Sequence, residues 1–228
     1  MYRERPSAVR HTVVWSARTA AREEAHRVLP DGCMDILWHD GRLLIAGPDT
    51  SGHVAYWTYD ADYVGLRFGA GVGPRAVGVP AHAVRDQQVP LDHVWEPADV
   101  RRLEERLAAA SRPGAELEAA VVGRLRRTDP PDPLVAALMH RLARDAAVGT
   151  LADDVGLSTR QLHRRCLDAV GYGPKTYARI LRLGRALELC RSGSAAADTA
   201  ITAGYADQAH FAREVRTLTG VTLTTLLT

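Results

Sequence analysis

The spacing of apolar residues changes near residue 97 and divides the chain into two parts. Before that point, short apolar runs such as 34–38 and 42–46 are separated by turn residues, which is typical of β-strands. Beyond it, Val100, Leu103 and Leu107 recur at i, i+3 and i+7, which places them on one face of a helix. The pattern therefore predicts an α+β protein whose strands come first and whose helices follow.

Two strand pairs are predicted in the first part. Asp40-Gly41 lies between two apolar runs and favours a hairpin, because glycine accepts the positive φ of a tight turn. We expect a second pair between residues 54–59 and 63–68, around Asp60. Short strands with frequent turns are typical of a small sandwich or barrel, which we predict for residues 1–96.

Two short helices are predicted in the middle of the chain. They cover residues 100–110 and 116–126, and a proline-rich stretch at 126–133 follows them. We therefore divide the chain into a mainly-β, sensor-like domain (1–96), a helical linker (97–130) and an all-α domain (131–228). The linker helices are candidates for a dimer contact or for simple packing against the sheet.

The last part of the chain begins with helix-start signals. Asp132-Pro133 combines an N-cap acceptor with a proline at the first helical position, and predicts a helix to about Ala147. Thr150 is expected to cap the next helix. Everything beyond residue 131 is therefore expected to be helix and turn.

A helix-turn-helix pattern then occurs twice. Ser158 and Gln161 form a capping-box pattern, and Gly156 lies just before it, where a left-handed residue makes a tight turn. A helix, a glycine turn and a capped helix together predict a helix-turn-helix unit. The features of this unit recur 48 or 49 positions later, and a long helix over residues 177–187 joins the copies. The matching pairs are Ala152 with Ala200, Gly156 with Gly204, Leu162 with Phe211, Arg164 with Arg213 and Gly171 with Gly220.

The repeated segment closely resembles the DNA-binding domain of the AraC/XylS family of transcription regulators. The resemblance covers residues 149–222, with L-A-D-D-V-G-L-S-T-R-Q-L-H-R at 151–164, R-L-G-R-A at 182–186 and G-Y-A-D-Q-A-H-F-A-R at 204–213. It implies a transcription regulator in which two helix-turn-helix units insert into adjacent major grooves of double-stranded DNA.

Eleven residues are predicted to contact DNA, since the capped helix of each unit would enter a major groove. The predicted base readers are Arg160, His163 and Arg164 in the first unit and Gln208, His210 and Arg213 in the second. The predicted phosphate contacts are Thr159, Lys175, Arg182 and Arg216. Ser158, at the start of the first capped helix, completes the set. For His210, a structural role as a cap of the core is an equal alternative.

Residues 27–96 resemble a sensor domain that precedes this module in actinobacterial regulators. The resembling stretches are L-P-D-G-C-M-D-I-L-W at 29–38, A-G-P-D-T at 46–50 and G-L-R-F at 65–68. This resemblance implies no particular ligand. Aromatic residues together with Arg67 and nearby acids make the region a candidate small-molecule effector site or a dimer contact. The aromatic residues are Trp15, Trp38, Tyr56, Trp57, Tyr59 and Tyr63.

Charge and cysteine content change this picture only slightly. The net charge of +2 comes from 29 Lys+Arg against 27 Asp+Glu, and a DNA-binding function cannot rest on it. Three widely spaced cysteines argue against a disulfide framework and fit a reducing cytosol. The sequence carries no long apolar run and no signal-peptide pattern, so we expect a cytoplasmic protein that does not span a membrane.

Some residues of the sequence suggest functions other than DNA binding. Cys33 follows a turn and could accept an alkyl group, as the methyl-accepting cysteine of some relatives of the module does. His26, Cys33, Asp35 and His39 do not have metal-ligand spacing, and no triad or phosphate loop stands out. We therefore expect no catalytic residue, no metal, no cofactor and no enzyme activity. A helical protein-interaction module is the remaining alternative. A homodimer and, for an activator, RNA polymerase complete the candidate partners.

Overall fold

The strands of the computed structural model form two antiparallel sheets. The structure describes residues 2–19, 24–58, 60–144 and 148–227. Six strands form one sheet in the order β1-β2-β7-β4-β5-β8, and β3 pairs with β6 separately. The strands are β1 (Tyr2–Pro6), β2 (Thr12–Arg18), β3 (Glu24–Val28), β4 (Met34–His39), β5 (Arg42–Ala46), β6 (His53–Trp57), β7 (Asp62–Phe68) and β8 (Gln88–Pro90).

The hairpin predicted at Asp40-Gly41 is confirmed. The two residues join β4 to β5 and adopt φ values of 49° and 73°. Both values are left-handed, as a two-residue turn needs if it is to follow the right-handed twist of its strands. His39 lies opposite Arg42 immediately before the turn, so the register of the whole pair is set there.

The predicted pairing of residues 54–59 with 63–68 is wrong. β6 pairs with β3, which puts Val54 opposite Arg27, whereas β7 lies between β2 and β4. The apolar residues Val64, Leu66 and Phe68 of β7 are buried, and a central position in the large sheet provides that burial. The burial of β7 therefore decided its pairing, although the chain connection between β6 and β7 is short. Tyr59, at the end of the predicted strand, lies outside the described residues.

Three helices cover one face of the large sheet. They are α1 (Gly73–Val77), α2 (Pro97–Ala109) and α3 (Pro113–Leu125). The apolar stripes of α2 and α3 are buried in one core with the inward side chains of the strands. Packing against the sheet therefore accounts for these stripes, and they are not free to form a dimer contact. The core includes Ile36, Ile45, Leu66, Leu103, Leu107, Leu117 and Val121.

The opposite face of the sheet holds a buried carboxylate among aromatic residues. Trp15 Nε1 donates a hydrogen bond of 2.6 Å to Asp35 Oδ1, and Arg67 Nε lies 3.6 Å from the same oxygen. Burial raises the pKa of Asp35 to about 6, although the guanidinium of Arg67 and the Trp15 hydrogen bond lower it. Asp35 is therefore already paired within the sheet.

Seven helices lie in the described residues from 133 to 227. They are α4 (Pro133–Ala143), α5 (Val148–Asp154), α6 (Thr159–Val170), α7 (Pro174–Arg191), α8 (Ala196–Thr202), α9 (Gln208–Thr219) and α10 (Leu223–Leu227). The predicted start of α4 is confirmed, since the Asp132 side chain accepts from Leu134 N at 2.8 Å and Pro133 follows it. The prediction that Thr150 caps a helix is wrong, because Thr150 lies inside α5. Residues 145–147, at the predicted end of the first helix, lie outside the described residues.

The helices bury two separate cores, one for each predicted unit. The first core holds Leu151, Leu162 and Cys166, and the second holds Ala200, Phe211 and Val215. The long helix α7 contributes to both, with Tyr177 and Ile180 in the first and Leu183 and Leu187 in the second. Among the described helices, none is long and apolar enough to cross a membrane.

Candidate nucleic-acid interface

The first helix-turn-helix unit consists of α5, a tight turn and α6. Gly156 occupies the turn with φ of 67°, a value that side chains rarely adopt, and Leu157 N donates to Ala152 O at 2.9 Å. The predicted capping box is confirmed. Ser158 Oγ accepts from Gln161 N at 3.3 Å, and Gln161 Oε1 accepts from Ser158 N at 2.8 Å. These bonds fix where α6 begins.

The second unit, formed by α8 and α9, has the same glycine turn and also caps its second helix with a polar side chain. Gly204 has φ of 79°, and Tyr205 N donates to Ala200 O at 2.8 Å. The side chain of Asp207 caps α9 by accepting from His210 N at 2.6 Å. The repeat seen in the sequence is therefore a repeat of two complete helix-turn-helix units.

Ion pairs hold the second unit on α7. Arg179 donates two hydrogen bonds to the two carboxylate oxygens of Glu214, at 2.8 and 3.0 Å. The side chain of Glu214 is only 9% exposed, and its hydrogen bonds from Arg179 hold its pKa below the usual range. Arg182 adds a contact, with its guanidinium carbon 4.7 Å from the centre of the Tyr205 ring. The second helix of this unit, α9, is therefore fastened to α7.

The predicted DNA-contacting residues of the first unit lie along the exposed side of α6. Ser158, Thr159, Arg160 and Arg164 are all exposed. Within the described part of the chain, the guanidiniums of Arg160 and Arg164 have no ion pair. His163 is also exposed, but its ring lies against the turn before α7. A Cβ placed at Gly173 would come within 2.7 Å of its Nε2.

The second unit presents a corresponding set on α9. Gln208, Arg213 and Arg216 are exposed, and neither arginine has an ion pair among the residues that the structure describes. Arg213 occupies the position in α9 that Arg164 occupies in α6. The two units thus present equivalent cations at the same place in the repeat.

Two residues predicted to contact DNA make intramolecular contacts instead of pointing freely into solvent. His210 is half-buried, its Nδ1 accepts from Ala206 N at 3.3 Å, and its ring meets Tyr205 edge-on. This geometry favours the structural alternative for His210. Arg182 is half-buried and donates to Gly204 O at 3.4 Å. Lys175, by contrast, is exposed in the first turn of α7, as a phosphate contact requires.

Sequence reasoning missed the pair formed by Arg179 and Glu214. The two residues are 35 positions apart, and both are ordinary charged residues on helices. The only available signal was the position of Glu214 within the repeat. It directly precedes the buried Val215, but a carboxylate there could equally have faced solvent.

The alternatives that involve cysteine or metal chemistry gain no support from the geometry. Burial raises the pKa of the Cys33 thiol, and Asp31 and Asp35 raise it further, which disfavours the nucleophilic thiolate. Cys166 is fully buried in the first helical core. Within the described ranges, no cluster of three histidine, cysteine or carboxylate side chains could hold a metal ion.

Comparison with known proteins agrees with the helical geometry. Residues 151–228 match a family described as helix-turn-helix domain, and residues 7–90 match a domain of unknown function, DUF6597. No curated protein sequence matches the chain significantly.

Crystal structures of ToxT from Vibrio cholerae are similar at low sequence identity. An apo variant is 11% identical with a TM-score of 0.48, and the match covers 97% of this chain and 98% of that one. A structure at 1.65 Å resolution is 11% identical with a TM-score of 0.46, covering 95% and 97%. A fatty-acid-bound form is 10% identical with a TM-score of 0.42, covering 95% and 94%. By its family match and its repeated geometry, the chain carries an AraC-type helix-turn-helix domain, the DNA-binding domain of transcription regulators, behind a DUF6597 domain.

Proposed function

We propose that the protein binds specific DNA sequences by inserting α6 and α9 into adjacent major grooves and thereby regulates transcription. The observation that carries this proposal is that Arg164 and Arg213 are exposed, form no ion pair with any described residue, and lie at equivalent places in two helix-turn-helix units. An arginine aimed at guanine offers a planar, two-pronged donor that matches the guanine edge. Two such units on one chain would read two segments of one duplex face.

Each predicted contact has a role that follows from its position. Arg160 and Arg164 in α6, with Gln208 and Arg213 in α9, are the proposed base readers. Thr159, Lys175 and Arg216 are the proposed phosphate contacts, and Ser158 and Asp207 fix the helix ends that approach the DNA. His163 remains a proposed reader, while Arg182 and His210 are assigned to holding the second unit together.

A binding experiment tests the groove assignment. A duplex selected from a random library by the parent protein is titrated with Arg164→Ala and Arg213→Ala. Each change should cost about 1–3 kcal/mol on the selected site and less on other sequences. Arg165→Ala is the matched control, because Arg165 lies on the same helix but pairs with Asp132. Equal binding of all sites by both reader variants and the parent would overturn the assignment.

Salt dependence separates DNA binding from the alternative of a protein-interaction module. Each phosphate contact releases counterions, so the affinity should fall steeply as the salt concentration rises. Lys175→Ala should weaken binding to every sequence alike and reduce the salt slope by about one. A flat salt profile of the parent would favour the interaction module.

We also propose that the strand-rich part of the chain, residues 1–96 and here called the sheet region, binds a small-molecule effector. The proposed site is a cleft at the end of the large sheet, beside α2. The cleft has a volume of about 810 Å³ and is lined by Trp38, His39, Tyr63 and Leu107. Trp38 Nε1 and His39 Nδ1 are buried and have no hydrogen-bond partner in the described structure. Because the indole N–H can only donate, the expected ligand offers a hydrogen-bond acceptor to it. Of the other predicted aromatic residues, Tyr56 is exposed.

Ligand screening by thermal shift tests this site. A true effector should raise the melting temperature of the parent and change its DNA affinity. Trp38→Phe keeps the aromatic ring but removes the N–H donor, and it should weaken ligand binding without weakening DNA binding in the absence of ligand. Ligands that bind both proteins equally would place the site elsewhere.

If the protein activates transcription, contact with RNA polymerase would be detected by transcription in vitro from the selected duplex.

A further inference from the structure

Residues of the sheet region contact the C-terminal end of α6. Arg85 Nη1 donates to Gly171 O at 3.1 Å, and Gly71 N donates to Ala169 O at 3.2 Å. The Tyr172 hydroxyl, just beyond α6, donates to Asp49 O. The last carbonyls of a helix have no partner within the helix and carry its negative partial charge, so an arginine at this end is favourable.

The same region contacts the C-terminal end of α9. Arg27 Nη1 donates to Thr219 O at 3.0 Å, and Gly52 N donates to Leu218 O at 2.6 Å. The approach at Gly52 is close, because a Cβ there would lie 2.8 Å from Thr219 O. Each recognition helix therefore has its last carbonyls bound by one arginine and by one backbone N–H of the sheet region.

One short loop reaches both helix ends. Pro48 packs against Gly171 at the end of α6, and Gly52 packs against Thr219 at the end of α9. Four residue steps separate Pro48 from Gly52, so their Cα atoms are at most about 14 Å apart. A link of that length leaves little freedom in how the two helix ends are placed relative to each other.

The loop leaves the proposed DNA-reading side chains uncovered. Arg160, Arg164, Gln208 and Arg213 are all exposed in the presence of these contacts. The sheet region therefore touches the recognition helices at the ends opposite to their capped starts and does not shield the residues that would enter the grooves. A role in positioning the helices fits this arrangement better than a role in blocking them.

We propose that Arg27, Arg85 and residues 48–52 form an interdomain brace that holds α6 and α9 at a fixed separation for DNA reading. This inference rests on the proposed function. If α6 and α9 are held in place before binding, the protein loses less conformational entropy when both helices enter the DNA. Once one helix is bound, the other meets its groove at a high effective concentration. These are positioning residues, since none of them is expected to touch DNA.

The test measures DNA affinity as a function of the spacing between the two half-sites. The full-length parent and the double variant Arg27→Ala/Arg85→Ala are titrated with the selected duplex and with duplexes in which one to three base pairs are inserted or removed. The parent should show a sharp optimum. The double variant should bind about tenfold more weakly at that optimum and show a flatter spacing profile, because its units adapt separately. Loss of DNA contacts alone would lower affinity at every spacing equally.

Matched variants separate the brace from general effects. Arg42→Ala/Arg102→Ala removes two exposed arginines, one in β5 and one in α2, that make none of these contacts, and it should keep the parent profile. Gly52→Ala should reproduce the flattened profile, whereas Gly123→Ala, whose Cβ would meet nothing within 4 Å, should not. Far-ultraviolet circular dichroism confirms that each variant is folded. A double variant with the parent profile overturns the brace, and a double variant that binds more tightly would show that the contacts inhibit DNA binding.

Hydrogen exchange keeps this test independent of the proposed function. Release of the brace should speed amide exchange at Gly52 and in the last turns of α6 and α9, whether or not DNA binds. If the parent selects no duplex, the proposed function fails while the exchange data still report on the brace. If the parent selects a duplex and exchange does not change in the double variant, the brace alone fails.

Discussion

The two helix-turn-helix units share their local structure but differ in how they are held. Both turn at a glycine with left-handed φ, both cap the recognition helix with a polar side chain, and both end it at a left-handed glycine. The first unit is tied to α4 by Arg141–Asp154 and Asp132–Arg165, ion pairs whose side chains are at least one third exposed. The second is tied to α7 through Glu214, whose side chain is 9% exposed.

This difference shows which features the two units share and which they do not. The turn, the caps and the core positions are copied, because each unit needs them to fold locally. The anchors are not copied: the ion pairs of the first unit go to α4, and those of the second go to α7. We therefore expect equivalent substitutions within the copied parts to have similar effects, and substitutions of the anchors to have unequal ones.

The largest expected effect is at the anchor of the second unit. Glu214→Ala removes an almost buried acceptor of two hydrogen bonds from Arg179 and should lower the free energy of unfolding by about 2–3 kcal/mol. Asp132→Ala, at the exposed anchor of the first unit, should cost about 1 kcal/mol, mostly from the lost cap of α4. Urea denaturation measures both. Equal losses would show that the two anchors do not differ.

The turn glycines provide the sharpest test of equivalence. Gly156→Ala and Gly204→Ala each force a side chain into a left-handed conformation, while neither new Cβ would meet an atom within 4 Å. Both changes should therefore cost about 1–2 kcal/mol from backbone strain alone. The comparison is made by chemical denaturation. A difference of more than about 1 kcal/mol between them would show that one turn carries tertiary strain as well.

The caps should give a smaller and again similar pair of effects. Ser158→Ala and Asp207→Ala each remove one acceptor for a backbone N–H at the start of a recognition helix, at a cost of about 1 kcal/mol. Ser158→Asp and Asp207→Ser each keep an acceptor at the cap position, so these variants should keep most of the stability that the alanine variants lose. Thermal melting followed by circular dichroism measures these changes, and a replacement that fails to restore its unit would contradict the assignment of the cap.

The smallest expected effect is a loss of stability of the second unit at acid pH. The hydrogen bonds from Arg179 hold the pKa of Glu214 below that of the unfolded chain, so this contribution is complete above pH 4.5 and is lost as the pH falls through the lowered pKa. Glu214→Gln cannot titrate. The stability difference between the parent and this variant should therefore shrink from pH 6 to pH 3, as measured by urea denaturation at each pH. If the stability difference between the two proteins stayed constant with pH, titration of Glu214 would not contribute to the acid sensitivity.

The candidate interface was largely predictable because its signals are local. The alanine four positions before each turn glycine and the polar cap of each following helix are read within a few residues. Comparison of the two copies then picks out Arg164 and Arg213, which the structure places at the same exposed position of α6 and α9. Arg182 and His210 carried no local mark that distinguished a DNA contact from a contact with Tyr205. Arg182 reaches Tyr205 only because α7 packs against the second unit, whereas His210 contacts Ala206 and Tyr205, four and five positions before it in the chain.

The sequence by itself determined the two kinds of secondary structure, the hairpin at Asp40-Gly41 and the two helix-turn-helix units, because backbone φ and helix capping are decided by neighbouring residues. Tertiary structure alone decided that β6 pairs with β3, that Glu214 faces Arg179, and that Arg27 and Arg85 reach the ends of the recognition helices. Each of these contacts joins residues far apart in the chain. Their partners are chosen by which surfaces must be buried together, and no short stretch of sequence contains that choice.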